Sequence, residues 1–343
     1  MMKIWTTVLL ILTVCYTQAQ APKLDVQKIE YLFEEGKFFK QCHASSIAET
    51  SCSDLIAAWF GGTHEGNKDV VIWSSLNQNG IWSIPTEIAN GKMDNGDTYP
   101  CWNPVLFRPK DSDLLYLYYK VGPNPRAWWG MVKTSDNNGK SWSIAKRLPD
   151  GILGPIKNKP IELANGQIIS PSSIEVSEHR WIAHVEKSVD KQHSWRYIPI
   201  DTLSGYNVIQ PSIISHNDGR LQVLCRSKEG KVMYSFSSDQ GETWSKLAPT
   251  TLLNPNSATD VIAWKNGFLI VYNPALPGKD WWEGRSKLRI AFSTDGVIWK
   301  DLLILEDQEK GEFSYPTILL DSKDQIHITY TYDRKNIKHY ILN

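Results

Sequence analysis

Six short polar segments, each placed just before an apolar stretch, carry most of the side chains that could do chemistry. They offer a tyrosine, an imidazole and a carboxylate, which can act as nucleophile, base or acid. They also offer lysines and amides, which can bind an anionic or hydroxyl-rich ligand. The residues that stand out in these segments are His43, Trp102, Asn103, Lys157, Lys159, Gln210, Asn254, Asn256, Glu312 and Tyr315.

A second set of candidates follows the next apolar stretch of several units. Glu65 and Asp69 come after a Gly-Gly pair, Glu175 stands where a second strand should end, Arg226 ends an apolar stretch, and Arg334 lies near the C-terminus. Two carboxylates can form an acid–base pair when burial raises one pKa, and arginine binds a carboxylate through two parallel hydrogen bonds. The loops at these positions also offer Arg126, Trp128, Trp281, Trp282, Glu283 and Arg285.

A repeated phrase, made of a hydroxyl residue, an Asp or Asn, a Gly and a Trp, divides the chain into units. The clearest copies are 237–244 and 135–142; the copy at 293–299 is shortened, 188–195 lacks the Gly, and 75–82 is the most eroded. The Asp or Asn side chain can accept backbone N–H groups, Gly can adopt a positive φ, and Trp can pack beneath the turn. A period of about fifty residues predicts a radial repeat of short strands.

The apolar stretches show the alternation and β-branched content of half-buried strands, for example 210–215 with 221–225 and 315–320 with 326–332. Six polar openings predict an all-β, six-bladed β-propeller of four-stranded antiparallel blades. The last unit lacks its own repeated phrase, so we expect Gln27 to Phe33 to supply its outer strand and close the ring. Inner strands would line a channel, and the candidate residues would meet on one face.

The repeated phrase resembles the Asp-box of the sialidase-like propellers with BNR repeats, over nearly all of the chain after residue 19. In that family a Tyr opening the last blade is the nucleophile, a Glu activates it, three Arg bind the sugar carboxylate, and an Asp protonates the leaving oxygen. Tyr315 matches the tyrosine, and Arg226 resembles the arginine that ends the second strand of the fourth blade. Gln210 stands where the family has Glu, and Asn254 and Asn256 stand where an Arg is expected. The resemblance therefore implies a divergent member without the full arginine triad.

These residues and the resemblance predict a secreted exo-acting glycoside hydrolase that removes a terminal acidic or deoxy sugar from a glycan. A polysaccharide lyase and a carbohydrate-binding propeller without catalysis are the alternatives. The residues predicted to bind the sugar are Arg226, Lys157, Lys159, Gln210, Trp102, Asn103, Asn254, Asn256 and Arg334.

Three mechanisms fit the predicted catalytic residues. In the first, Tyr315 attacks the anomeric carbon with Glu312 or another carboxylate as its base. In the second, two carboxylates act as acid and base, and the candidates are Glu65, Asp69, Glu175 and Glu312. In the third, His43 or Tyr315 removes the C5 proton of a uronic acid while Arg226 or a lysine neutralises its carboxylate. The sequence leaves all three open.

Residues 1–19 are predicted to be a secretory signal, with Lys3 at the start, an apolar stretch at 8–12 and Ala19 before the cleavage point. The propeller domain would then occupy 20–343 in a secreted or periplasmic protein. No later segment approaches the roughly 20 apolar residues of a membrane-spanning helix. The formal net charge is +0, with 37 Lys+Arg and 37 Asp+Glu, which argues against a nucleic-acid partner.

Neither a metal nor an organic cofactor is expected from the sequence. His64-Glu65 lacks the second His of a helical zinc motif, and no Gly-rich phosphate loop precedes a helix. The cysteines outside the predicted signal have no CxxC spacing, and their pairing is left open. They are Cys42, Cys52, Cys101 and Cys225. The expected partner is an oligosaccharide or polysaccharide, and the sequence does not determine the oligomeric state.

Overall fold

The computed structural model describes residues 22–188, 194–280 and 282–343. Within these ranges the regular structure consists of β-strands and no α-helix. The described residues include no helix that is long and apolar enough to cross a membrane. The predicted signal at 1–19, the middle of the repeated phrase at 188–195, and Trp281 lie outside the described residues.

The strands form six antiparallel sheets that are arranged as a six-bladed β-propeller, as predicted. The first blade contains β2 (Gln41–Glu49), β3 (Leu55–Gly62), β4 (Val71–Gln78), β5 (Ile81–Trp82) and β6 (Thr86–Ala89). The second contains β7 (Cys101–Phe107), β8 (Leu115–Val121), β9 (Trp129–Ser135) and β10 (Lys146–Arg147). The third contains β11 (Ile161–Glu162), β12 (Ile168–Ser177), β13 (Arg180–Ser188) and β14 (Trp195–Pro199).

The remaining three blades follow the same order from the axis outward. The fourth contains β15 (Val208–Ser215), β16 (Leu221–Ser227), β17 (Lys231–Ser237) and β18 (Ala248–Leu253). The fifth contains β19 (Asp260–Trp264), β20 (Gly267–Tyr272), β21 (Lys287–Ser293) and β22 (Lys300–Asp307). The sixth contains β23 (Phe313–Leu320), β24 (Ile326–Tyr332), β25 (Asn336–Leu342) and, outermost, β1 (Val26–Tyr31).

The ring closes where the two ends of the described chain meet. Strand β1 pairs antiparallel with β25, with Ile29 opposite Tyr340 and Tyr31 opposite Lys338. This pairing confirms the predicted closing strand. It gives the outer edge of β25 a hydrogen-bonded partner, so the last blade has four strands, as blades two to five do.

The repeated phrase forms the turn between the third and fourth strands of a blade. In the fourth blade, the Asp239 carboxylate accepts hydrogen bonds from Ser237, from the backbone of Glu242 and from both the backbone and the hydroxyl of Thr243. Gly241 has φ 84°, and the Trp244 ring lies against it. Equivalent hydrogen bonds surround Asn137 in the second blade and Asp295 in the fifth; they link Ser135 to Ser141 and Ser293 to Ile298. The turn is therefore held by local hydrogen bonds.

The inner strands carry β-bulges that sequence reasoning missed. In three of them the bulge is an X-Pro pair outside the strand pairing, at Asn103-Pro104, Gln210-Pro211 and Tyr315-Pro316. Asn103, Gln210 and Tyr315 all have positive φ, at 38°, 52° and 54°. Proline fits this position because it has no N–H to contribute to the ladder, and a bulge redirects the side chain beside it. A proline within a predicted strand is the feature of the sequence that could have indicated these bulges.

The third blade departs from the expected pattern. A strand was predicted to follow directly on its polar opening, but residues 156–160 are irregular and β11 contains only Ile161–Glu162. Buried groups hold the preceding loop instead. Glu186 accepts the N–H groups of Leu153 and Gly154 at 2.8 and 2.6 Å, and Lys120 donates to the Pro155 carbonyl at 2.7 Å.

Candidate functional site

Tyr315 and Arg226 lie at the centre of a buried polar cluster near the axis. Arg226 Nη1 donates to Tyr315 Oη at 2.7 Å and to Gln210 Oε1 at 3.1 Å, and Arg226 Nε donates to Asn256 Oδ1 at 2.9 Å. Gln210 Nε2 lies 3.4 Å from Tyr315 Oη. The planar guanidinium is thus oriented by three neighbours from blades four, five and six.

His43 packs directly against Tyr315. The two ring centroids are 4.1 Å apart, and the His43 side chain is buried. Burial, and then the positive charges of Arg334, Arg285, Arg226 and Lys157, hold the pKa of His43 well below its usual value. The imidazole is therefore neutral, and its Nδ1 has no hydrogen-bond partner among the described residues. The ring can accept a hydrogen bond, and its lowered pKa makes it a weaker base than an ordinary histidine.

Glu312 is held between two arginines at the edge of the cluster. Its Oε1 accepts from Arg285 Nη1 at 3.0 Å and from Ser314 Oγ at 2.9 Å, while Oε2 accepts from Arg334 Nε at 2.8 Å. Burial acts to raise the pKa of Glu312, but Arg334 and Arg285 outweigh it and the pKa is lowered. Glu312 is consequently a weaker base than an ordinary glutamate. Glu65 pairs with the far side of Arg334.

Glu175 lies at the rim of the same cluster, near the end of β12 and opposite Trp181 in β13. Burial raises the pKa of Glu175, although Arg226, Lys228 and Arg126 oppose the shift. Both Arg226 and Lys228 contact the Trp181 ring, at 5.4 and 3.9 Å from its centroid. A carboxyl with a raised pKa beside a buried arginine is a candidate proton donor.

Lys157 and Lys159 enter the channel from the third blade. Lys157 contacts the Pro316 carbonyl and donates to Asn158 Oδ1 at 3.0 Å. Lys159 forms an ion pair with buried Asp260 at 2.8 Å and donates to the Ile318 carbonyl at 2.9 Å. Both ammonium groups therefore bind groups of the protein itself. The carbonyls that they contact, those of Pro316 and Ile318, follow Tyr315 along β23.

Three other predicted site residues use their polar groups locally. Asp69 Oδ2 accepts the N–H of Thr63 at 2.9 Å, and Asn254 bonds the backbone of Ser257 in a turn. Trp102 Nε1 donates to a backbone carbonyl at 2.8 Å. These contacts hold loops and the inner strand in place. The structure does not bring these three polar groups to Tyr315.

The sequence offered Arg285 as a loop residue without placing it among the predicted site residues, and it did not indicate Trp181 or Lys228. Arg285 comes from the loop between β20 and β21; it is buried, and it lies 5.8 Å from the Tyr315 ring. The loop position was recognised from the sequence, but the family pattern directed attention to the blade opening instead. Trp181 lies opposite Glu175 within the third blade, and it meets Arg226 and Lys228 only where blades three and four pack together.

Among the described residues, no group of three or more His, Cys, Asp or Glu side chains is placed to hold a metal ion. The cysteines whose pairing the sequence left open are free thiols. Cys42, Cys101 and Cys225 are buried, and Cys52 is exposed.

Comparisons with known proteins agree with this architecture. The family described as BNR repeat-like domain matches residues 53–328. A Dyadobacter fermentans protein of unknown function has a TM-score of 0.76 at 16% identity, covering 94% of this chain and 99% of that one. A Hadza microbial sialidase has a TM-score of 0.76 at 16% identity, covering 91% and 68%. The NanB sialidase of Streptococcus pneumoniae has a TM-score of 0.68 at 14% identity, covering 92% and 70%. None of the curated protein sequences matches the chain, and at these identities the structural likeness concerns the fold.

Proposed function

This chain belongs to the BNR repeat-like domain family, and on that premise we propose that it is an exo-acting glycoside hydrolase for a terminal acidic sugar. The observation that carries the proposal is the convergence of Tyr315, Arg226 and His43. The Tyr315 hydroxyl is 2.7 Å from Arg226 and its ring is 4.1 Å from the His43 ring. A propeller that only binds sugar has no need for a nucleophile buried between an arginine and a neutral imidazole.

The charges around Tyr315 support an anionic substrate. Arg226 and Arg285 lie against its ring and Arg334 acts on the adjacent His43, while Glu312 and Glu65 balance two of the three positive charges. Arg226 Nη2 has no hydrogen-bond partner among the residues that the structure describes. Its N–H groups can therefore donate to a substrate carboxylate, an interaction that is strong because both partners are charged.

In the proposed reaction, Tyr315 attacks the anomeric carbon and forms a covalent glycosyl intermediate. Gln210 cannot accept the tyrosine proton and Glu312 is bound by two arginines, so His43 is the neighbour that can accept it. The substrate carboxylate offsets part of the positive field that keeps His43 neutral. Arg226 stabilises the oxygen of Tyr315 as its proton leaves.

Glu175 completes the proposed reaction as the acid. Its raised pKa increases the share of the carboxyl group that carries a proton, which the group can donate to the leaving oxygen as the glycosidic bond breaks. Once the leaving group departs, the ionised Glu175 takes a proton from water, and the water oxygen attacks the anomeric carbon. The bond from that carbon to Tyr315 breaks, and the tyrosine oxygen recovers its proton from His43. The anomeric configuration is retained because each of the two displacements inverts it.

The test is incubation of the purified protein with sialylated and uronate-terminated oligosaccharides. We expect release of a reducing acidic monosaccharide. The anomer that forms first should have the same configuration as the glycosidic bond of the substrate. A Tyr315→Phe protein that folds normally should release none. Full activity in that variant would remove the tyrosine mechanism, and no release from any acidic terminus would remove the hydrolase proposal.

A uronate lyase is the second candidate function, and one observation favours it. The residue where sialidases carry the activating Glu is Gln210, while the neutral His43 and Arg226 both contact Tyr315. Tyrosine or histidine could remove the C5 proton while Arg226 neutralises the carboxylate. The bond from C4 to the leaving oxygen then breaks as the double bond between C4 and C5 forms. An unsaturated, ultraviolet-absorbing product would identify this reaction and exclude hydrolysis.

A further inference from the structure

Lys157 reaches across the channel from the third blade to the sixth. The irregular segment before β11 brings its side chain to the axis, where the ammonium group contacts the Pro316 carbonyl. The Lys157 side chain is buried. Blades three and six face each other in a ring of six, so this contact joins opposite sides of the propeller.

The Pro316 carbonyl belongs to the bulge that carries Tyr315. In the pairing of β23 with β24, Ser314 lies opposite Thr331 and the next paired residue is Thr317, so Tyr315 and Pro316 fall outside the ladder. Tyr315 has φ 54°, a backbone conformation that a bulky residue rarely adopts. Such a conformation persists only where its surroundings hold it.

The two channel lysines differ in whether a carboxylate contacts the ammonium group. Lys159 has the buried carboxylate of Asp260 as its ion-pair partner. Lys157 has only neutral oxygens within hydrogen-bond distance among the described residues, those of Asn158 and Pro316. Asp260 acts on Lys157 electrostatically as well, but no carboxylate contacts this buried ammonium group. Burying it destabilises the fold, so its presence calls for another role.

We propose that Lys157 is a positioning residue for Tyr315: by binding the Pro316 carbonyl, it fixes the bulge that directs the Tyr315 hydroxyl to Arg226. The effect on catalysis rests on the proposed function of Tyr315. The effect on the backbone does not, because the contact and the bulge exist without substrate. Burial lowers the pKa of Lys157 to about 7, and either protonation state retains an N–H donor for the carbonyl.

The experiment compares Lys157→Met with the matched control Thr317→Val. Thr317 lies two residues after Tyr315 and donates to the Ser45 carbonyl at 2.7 Å, so its variant also removes one cross-blade hydrogen bond from β23. Backbone hydrogen exchange of residues 313–320 is measured in both variants and the parent protein. We expect faster exchange in this segment for Lys157→Met alone, by about tenfold or more.

The kinetic arm uses whichever acidic sugar the parent protein cleaves. A displaced nucleophile should lower kcat by about 10- to 100-fold while KM stays within about twofold. Lys157→Gln, which keeps an amide donor, serves as a second variant and should fall between the parent and Lys157→Met in both measurements.

Unchanged exchange in 313–320 would overturn the proposal whether or not the protein is an enzyme. Faster exchange across all blades would also overturn it, because Lys157 would then support the fold as a whole. If the parent protein cleaves no acidic sugar, the hydrolase proposal fails, and the exchange data still decide whether Lys157 holds the bulge.

Discussion

Arg226 donates a 2.7 Å hydrogen bond to the hydroxyl of Tyr315, which lies 89 residues further along the chain. Arg226 is the penultimate residue of β16 in the fourth blade, and Tyr315 stands in the bulge of β23 in the sixth. The bond brings a cation against an oxygen that can become a nucleophile. It also occupies one of the N–H groups of the arginine, which leaves Nη2 for a ligand.

Replacing Tyr315 with Phe should lower kcat by about 10³-fold or more, because the variant loses the attacking oxygen and keeps the ring. Tyr340→Phe is the control; its hydroxyl donates to the Leu305 carbonyl in the outer part of the ring. Initial rates and thermal unfolding are measured for both. Comparable activity in the two variants would contradict a chemical role for Tyr315.

Arg226→Lys should raise KM for an acidic sugar by about tenfold or more, since lysine cannot reproduce the planar guanidinium and its three hydrogen bonds. Arg289→Lys is the control, because Arg289 pairs with Asp301 on the outer strands of the fifth blade. Steady-state kinetics are compared with acidic and neutral analogues. An equal rise in KM for both analogues would mean that Arg226 does not bind the carboxylate of the substrate.

Glu312→Gln should destabilise the protein by about 3–5 kcal/mol, because it leaves Arg285 and Arg334 without the carboxylate that joins them. Glu242→Gln is the matched control, since Glu242 also joins two cations but is 39% exposed. Its loss should cost less than about 1 kcal/mol. The free energy of unfolding comes from urea titration. Equal costs in the two variants would show that the buried pair of arginines does not depend on Glu312.

The buried lysines predict a rise in stability between pH 7 and pH 8.5. Burial lowers the pKa of Lys120 and of Lys157 to about 7, whereas the unfolded chain has the ordinary value of 10.5. In this range the unfolded state binds more protons, so the free energy of unfolding rises with pH, by at most about 1.4 kcal/mol per unit for each lysine. The contribution becomes constant well below pH 7, where both states bind the proton.

Lys157→Met tests this pH dependence, because it removes one of the two titrating groups. Urea unfolding at a series of pH values should give a shallower slope for the variant than for the parent protein. The series stops at pH 8.5, since burial raises the pKa of the Cys42, Cys101 and Cys225 thiols above their ordinary 9.0 and acts in the opposite direction. Parallel curves would refute a lowered pKa at Lys157.

Asp239→Asn should be tolerated within about 1 kcal/mol, whereas Asp239→Ala should cost about 1–2 kcal/mol. Asn137 already makes the equivalent hydrogen bonds in the second blade, so an amide oxygen is sufficient at this turn. Alanine leaves the N–H groups of Glu242 and Thr243 without their acceptor. Urea unfolding distinguishes the two variants, and an equal cost would mean that the carboxylate charge holds the turn.

The sequence predicted the blades because their signals are local. A turn such as that at Asp239 is held by hydrogen bonds within six residues, so its pattern can be read along the chain. The spacing of these turns gave six blades, and the missing last turn predicted that β1 would close the ring. Tyr315, Arg226 and Gln210 could be predicted as site residues because each has a fixed place within its blade.

Which of the candidate residues lie together in space could be learned only from the three-dimensional fold. Lys159 forms an ion pair with Asp260, 101 residues away, and Glu312 forms ion pairs with Arg285 and Arg334 from two different loops. Such contacts cross between blades, and they depend on how the ring closes and on bulges that turn single side chains toward the axis. The sequence thus determined the blades and the position of Tyr315, whereas ring closure determined its partners, because no local pattern encodes a hydrogen bond across the channel.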